Sequence, residues 1–303
     1  MSEGTCNDAA TRWFVDVSAW TPASAEWQRA LEQLPSLEQQ QVARFMFAKD
    51  QRLALGSRLL QRHLIASQIQ MHRQPPTLAR IDIRRTPERK PFWWRDGSDS
   101  AAADVSPCWN FNVSHHGALV AIASHPRRLV GVDVVQLSER PRGLARDFFR
   151  AFERHFNARE WQFIRSAVSG DSEGSRNRDE DSDDGQFERF YTLWSLKEAY
   201  IKAVGIGLGF ELLRAEFAFS AAQQRWQLWL DGALAADWTF EATQLDDAHL
   251  VSVALGPLAA MWSPSTSSIF SASVNVNDTH GEDASAEDGG GEWEHKELAD
   301  LIA

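Results

Sequence analysis

The sequence predicts an α+β fold. Stretches with helical spacing and β-rich runs occur in blocks that do not strictly alternate, which argues against a doubly wound parallel sheet. Of the 303 residues, 43% are hydrophobic, enough to build the core of one large domain or two ordinary ones. No apolar run approaches the length of a membrane span.

In chain order, residues 26–33 and 37–70 are expected to be helices. In the second, Leu53, Ser57, Leu60, Leu64 and Ser67 follow the three-to-four spacing of a single helix face. Residues 78–84 suit a strand that stops before "RRTPERKPFW", where Pro87 and Pro91 interrupt regular structure. "FNVSHH" and "LVAIAS" are β-rich runs separated by Gly117, a natural turn, and "RLVGVDVV" is a third short strand. Helices are expected over 144–156 and 158–167. Another follows in "YTLWSLKEAYIKAV", and "WQLWLD", "DWTFEA" and "HLVSVAL" close the pattern as strands.

Two acidic stretches stand apart. "SGDSEGSRNRDEDSDDGQ" is polar, rich in Gly, Ser and Asp and without hydrophobic period, as expected of a disordered surface insertion (170–187). Residues 263–303 suggest a mostly disordered tail, with a short helix possible only near 292–302. Eight acids and two arginines lie between Asp171 and Glu188, and nine acids and one lysine from Ser263 onward. The net charge of −11 therefore leaves +3 for the remainder. A mildly basic core suits a phosphate-rich ligand, while the lack of a basic run or known binding motif disfavours nucleic acid. Cys6 and Cys108 offer neither a disulfide framework nor metal spacing. The N-terminal residues lack the order of a secretion or transit signal, so a cytoplasmic protein is expected.

The stretch 191–210 poses the chemical question. At about 100° per residue, Leu193, Leu196, Tyr200 and Val204 form one stripe, and Glu198 and Lys202 fall nearly opposite. On an ordinary helix they would be a solvated pair contributing about 0.2–0.5 kcal/mol. Here Tyr191 and Trp194 flank them, so both faces carry large apolar groups and the helix should be buried. Charges in such a place must be partnered, and a metal ion with a phosphate would satisfy one carboxylate and one ammonium. Gly205, Gly207 and Gly209 can end the helix and admit a ligand close to the backbone.

Other polar groups fit the same ligand. Asp133 interrupts the apolar strand "RLVGVDVV", where a carboxylate is costly unless it caps an edge turn or binds a hard cation. With Glu198 nearby, it would give the two carboxylates that Mg²⁺ commonly takes beside phosphate oxygens and water. Ser114, His115 and His116 end the strand "FNVSHH"; adjacent histidines on an extended chain face opposite ways and do not readily share one metal. Arg84, Arg85, Arg89 and Lys90 crowd around two prolines as an exposed basic loop or a phosphate clamp.

Taken in order, "RRTPERKP", "FNVSHHG", "VGVDVV" and "WSLKEAYIKAVGIGLGF" resemble the 4′-phosphopantetheinyl transferase family in its larger, two-lobed type. "FMFAKDQRLALGSRLLQRHLI" and "FNAREWQFI" extend the resemblance, which spans about residues 13–255. It implies two similar α+β lobes about a pseudo-two-fold axis, here 12–130 and 131–262, with coenzyme A in the cleft between them. It also implies transfer of phosphopantetheine from coenzyme A to a serine of an apo acyl or peptidyl carrier protein, with release of adenosine 3′,5′-bisphosphate. By resemblance, Asp133 and Glu198 become Mg²⁺ ligands, with His116 as a third contact. Glu198 becomes the base for the attacking serine, and Lys202 a pyrophosphate contact. Arg85, Lys90, Ser114 and His115 fall to the coenzyme. A monomer is expected, since such a duplicated fold can work alone.

The chain departs from the family in several places. Val135 stands where bacterial members carry a second acid, and His116 where the eukaryotic type has glutamine. The family's N-terminal coenzyme-binding arginine falls near Gln41, which leaves Arg44 as the substitute. Arg89 replaces the glycine usual before "KP", where it would add a phosphate contact. Two rival readings are a coenzyme A- or carrier-binding module without catalysis, and a metal-dependent phosphohydrolase using His115, His116, Asp133 and Glu198. The first leaves two costly carboxylates without a use, and the second leaves the basic loop without one.

Overall fold

A computed structural model describes residues 10–70, 77–95, 109–139, 145–166, 178–261 and 291–302. Its elements run β1 (Thr11–Asp16), α1 (Ser24–Glu32), α2 (Ser36–Ala43), α3 (Ala48–Gln70), β2 (Ile83–Arg85), β3 (Pro91–Trp93), β4 (Asn110–His116), β5 (Leu119–His125) and β6 (Leu129–Gln136). There follow α4 (Ala145–Ala151), α5 (Ala158–Arg165), α6 (Arg178–Val204), β7 (Ala215–Ser220), β8 (Arg225–Leu230), β9 (Ala233–Leu234), β10 (Thr239–Gln244), β11 (His249–Gly256), β12 (Glu294–His295) and α7 (Leu298–Ile302). The fold is α+β, as expected.

Each lobe sets one long helix against a largely antiparallel sheet. In the N-terminal lobe α3 packs Leu60, Leu64 and Ile69 against Val15, Phe111, Val120 and Ile122 of the sheet β12-β1-β5-β4. In the C-terminal lobe α6 buries the predicted stripe, Leu193, Leu196, Tyr200 and Val204, with Phe217, Leu228, Phe240 and Ala254 of the sheet β6-β11-β10-β8-β7. Gly131 lets α6 approach β6: a Cβ there would lie 2.0 Å from the Ala199 carbonyl oxygen.

The lobes meet along β4 and β6, and side chains take the place of a backbone ladder. The N–H groups of Val130, Val132, Val134 and Gln136 donate in turn to Asn110 Oδ1, Asn112 Oδ1, Ser114 Oγ and His116 Nδ1, at 2.9–3.2 Å. Alternate residues of a strand share one face, so four consecutive even positions of β4 serve as acceptors for one edge of β6. Valines of β6 and β11 close the seam over Leu119, Ala121 and Ala123 of β5.

Two expectations are corrected. The helix drawn over 37–70 is two helices, α2 and α3, because the chain turns at residues 44–47 and leaves Phe45, Met46 and Phe47 exposed. The acidic insertion is helical from Arg178 on; residues 167–177 lie outside the described residues. Once Phe187 and Phe190 anchor α6 in the core, lengthening it carries no new nucleation cost, so even a polar sequence continues it. In the tail, the short helix expected near 292–302 is present as α7, and β12 was not expected. Residues 262–290 lie outside the described residues, but β12 pairs in parallel with β1, and α7 buries Leu298, Leu301 and Ile302 against the N-terminal lobe.

Candidate active site

A cleft of about 590 Å³ opens where the β2–β3 turn of one lobe faces the end of α6 in the other. Arg85, Arg89 and Lys90 come from the turn, Asn112 and Val113 from β4, and Trp194, Glu198, Ile201 and Lys202 from α6. Gly205, Gly207 and Leu208 form its rim, while Arg154 and His155 stand behind Trp194. Gly205 follows α6 at φ +79°, a left-handed conformation that stops the helix and that glycine adopts without strain.

Asp133 points from β6 toward α6 and is 6% exposed. Lys202 Nζ donates to Asp133 Oδ1 at 2.6 Å and to Ser114 Oγ at 2.7 Å, and Ser114 Oγ donates to Asp133 Oδ1 at 3.3 Å. Ser114 is thus both a rung of the lobe seam and a partner of the site. Glu198 has its pKa raised by burial and then by the charge of Asp133, with Lys202 opposing. Two carboxylates from separate elements therefore feel each other, and the charge of Lys202 acts on both.

The next residue on α6 goes elsewhere. Lys197 turns into the core and meets Glu160 at 2.9 Å, the pair being 1% and 0% exposed. Lys197 also donates to the carbonyls of Leu212 and Ala215, and Glu160 accepts the N–H groups of Asn157 and Phe217. This pair ties α5, α6 and the chain after the glycine turn together. Its only trace in the sequence is the lysine beside Glu198, and Glu160 carries no mark that distinguishes it from an ordinary capping-box glutamate.

Of the other expected residues, Arg85 stands at the mouth and donates from Nη1 to the Arg89 carbonyl at 2.9 Å. Burial at the cleft wall, then the charges of Arg58 and Arg89, lower its pKa. His115 opens to solvent on the face of β4 away from the seam, and partial burial followed by the charges of Lys202, His116, Arg58 and Arg85 lowers its pKa.

Three site expectations need correction. Lys90 is not free for a phosphate: its buried Nζ donates to the carbonyls of Val130, Lys202 and Ala203, each at 2.9 Å. Burial alone pushes its pKa down to about 7. Three acceptors match the three protons of an ammonium, and two of them lie at the negative end of α6, so the charged form is held. His116 has both ring nitrogens engaged, Nδ1 by the Gln136 N–H and Nε2 by Glu139 at 3.1 Å, which leaves neither free to bind a metal or to serve a phosphohydrolase. Arg44, exposed at the end of α2, does not line the cleft. The arginine that meets Gln41 is Arg58, through Nη2 at 3.1 Å.

The family profile "4′-phosphopantetheinyl transferase, N-terminal" matches residues 18–127, and "4′-phosphopantetheinyl transferase superfamily" matches residues 129–254. The L-aminoadipate-semialdehyde dehydrogenase-phosphopantetheinyl transferase of Homo sapiens is 34% identical over 80% of this chain and 74% of that protein. The Xenopus laevis protein of the same name is 35% identical over 83% and 78%. A phosphopantetheinyl transferase of Thraustochytrium is 37% identical over 83% and 80%. The chain belongs to the 4′-phosphopantetheinyl transferase superfamily. Among the described residues no helix is long and apolar enough to cross a membrane.

Proposed function

We propose that the protein transfers the 4′-phosphopantetheine group of coenzyme A to a serine of an apo acyl or peptidyl carrier protein, releasing adenosine 3′,5′-bisphosphate. What carries this reading is a cleft lined by Glu198, Lys202 and arginines, with Asp133 bonded to Lys202 behind it and near enough to raise the pKa of Glu198, in a chain of this superfamily.

The residues present fit a divalent cation. Among the described residues no three His, Cys, Asp or Glu gather into a protein-only cage. Mg²⁺ does not need one, because it takes one or two carboxylates and fills its shell with phosphate oxygens and water. Two mutually repelling carboxylates, with Lys202 now neutralising Asp133, form an oxygen donor set of that kind. Asp133 and Glu198 would hold the ion, which when bound neutralises charge on the pyrophosphate.

The chain's own groups do the rest. Glu198 takes the proton of the carrier serine, and burial together with Asp133 keeps its basicity above that of a free carboxylate. The serine oxygen forms the new bond to the β-phosphorus as the bond to the bridging oxygen of the adenosine bisphosphate breaks. Lys202, already directed at this point by Ser114 and Asp133, offsets the charge passed to the leaving group. Arg85 binds the coenzyme at a distance from the reacting phosphorus, so Arg85→Ala raises the KM for coenzyme A more than it lowers kcat.

The test is incubation with coenzyme A, Mg²⁺ and an apo carrier protein, followed by the intact mass of the carrier. Gain of one phosphopantetheine supports the reading. A carrier panel that stays unmodified by protein shown to be folded rejects it.

A further inference from the structure

We propose that Lys90 is a positioning residue for the transfer step: its ammonium caps the end of α6 from the opposite lobe and so holds Lys202 at Asp133 and Ser114. The inference rests on the transferase reading and deepens it, since Lys90 then acts through another side chain and not on the coenzyme.

The last four carbonyls of an α-helix have no partner within it, and a final turn left so frays. In α6 the N–H of Gly205 takes the Ile201 carbonyl at 2.8 Å. Lys90 Nζ takes the next two, those of Lys202 and Ala203, and adds that of Val130 on β6, each at 2.9 Å. One group thus joins the end of α6 to the strand that carries Asp133. Lys202 belongs to this capped turn, and its own Nζ reaches Asp133 at 2.6 Å and Ser114 at 2.7 Å. A lysine head on a flexible four-carbon stem goes where its Cα allows, and the pinned carbonyl of Lys202 fixes that Cα.

The route to these carbonyls is built into the chain on both sides. The Lys90 stem runs beside Gly205, where a Cβ would lie 3.3 Å from Lys90 Cδ and 3.8 Å from Lys90 Cβ. Glu88 of the same turn packs against Gly207 in the same way. The backbone of Lys90 is fixed by Thr86: its N–H donates to Thr86 Oγ1 at 3.2 Å, and its carbonyl accepts the Thr86 N–H at 2.9 Å. Lys90 is buried, so water does not compete for its three charge-assisted bonds. The turn between β2 and β3 and the last turn of α6 are therefore one unit, with Lys202 at its reacting end.

A double-variant cycle read in carrier modification tests this. Lys90→Met keeps a long stem and removes the donors, and should lower kcat/KM for coenzyme A about tenfold, the scale of one displaced charge-assisted contact. In the Lys202→Met background the same change should cost less than about twofold, because no ammonium is left to position. A direct phosphate contact, or a general loss of stability, would cost the same factor in both backgrounds, and that result overturns the inference. So does a kcat/KM of Lys90→Met within about twofold of wild type. Circular dichroism checks that each variant is folded. Where Lys90→Met is not, Lys90→Gln, which keeps amide donors on a shorter stem, goes through the same cycle with an expected loss of about threefold. Either overturning result leaves the transferase reading in place, whereas wild-type protein that modifies no carrier takes both down.

Discussion

Helix α6 carries two lysine–carboxylate pairs five residues apart, and the comparison separates structure from chemistry. Lys197 and Glu160 lie 2.9 Å apart with side chains 1% and 0% exposed, while Lys202 and Asp133 lie 2.6 Å apart with side chains 30% and 9% exposed. The inner pair is closed: carbonyls and N–H groups of the protein satisfy what the two charges leave over. Burial still pushes Glu160 up and Lys197 down, both toward discharge, and their mutual attraction, with the N–H groups of Phe217 and Asn157 on Glu160 and the charge of Glu216 on Lys197, opposes it. A pair of this kind fixes geometry more than it adds stability. The outer pair faces a cleft, and its lysine is shared with Ser114. It can exchange protein partners for a ligand's, and that exchange is what the chemistry needs.

The comparison breaks most clearly at the outer site. Glu198→Gln or Asp133→Asn should reduce transfer about 10³-fold, the scale of a lost general base, with the fold intact by circular dichroism. Near-native turnover of either variant would remove both residues from the chemistry. At the inner pair, Lys197→Met should cost about 3–5 kcal/mol in urea unfolding, because it strands a buried glutamate. Adding Glu160→Gln should recover most of that loss, and a double variant as unstable as the single one would refute the closed-pair account. Lys202→Met should cost under about 1 kcal/mol of stability, since its partner keeps Ser114 and some solvent, yet weaken coenzyme A binding about tenfold. The smallest effect concerns pH. In metal-free protein Glu198 holds its proton to a higher pH than in the unfolded chain, so its contribution to stability falls as pH rises above the unfolded value. Asp133→Asn should lower that pKa, as read by carboxyl NMR, because it removes the charge that helps raise it.

Much of this was legible in the sequence where a residue contradicts its surroundings. Asp133 in a valine strand and Glu198 between Tyr191 and Trp194 both announced a partner, and both face the same place. The stripe Leu193, Leu196, Tyr200 and Val204 was legible because 3.6-residue periodicity is local. What escaped depends on distant contacts. Lys90 looked like a loop cation, but carbonyls of β6 and of the end of α6, the latter more than a hundred residues away, claim it. Asn110, Asn112, Ser114 and His116 form a seam that no propensity scale encodes, because their partners are backbone groups of another strand. The strands β1 and β7 were not assigned, and the turn between α2 and α3 carries no proline or glycine to mark it.

The pairing of Trp13 and Phe14 with Glu294 and His295 sets an order on biosynthesis. The strand β1 waits for a partner made about 280 residues later, as the step from Trp13 to Glu294 shows. Until it emerges, the ground that Leu298, Leu301 and Ile302 later cover on α3 and its neighbours stays bare. A nascent chain held at that stage is therefore a natural client for chaperones.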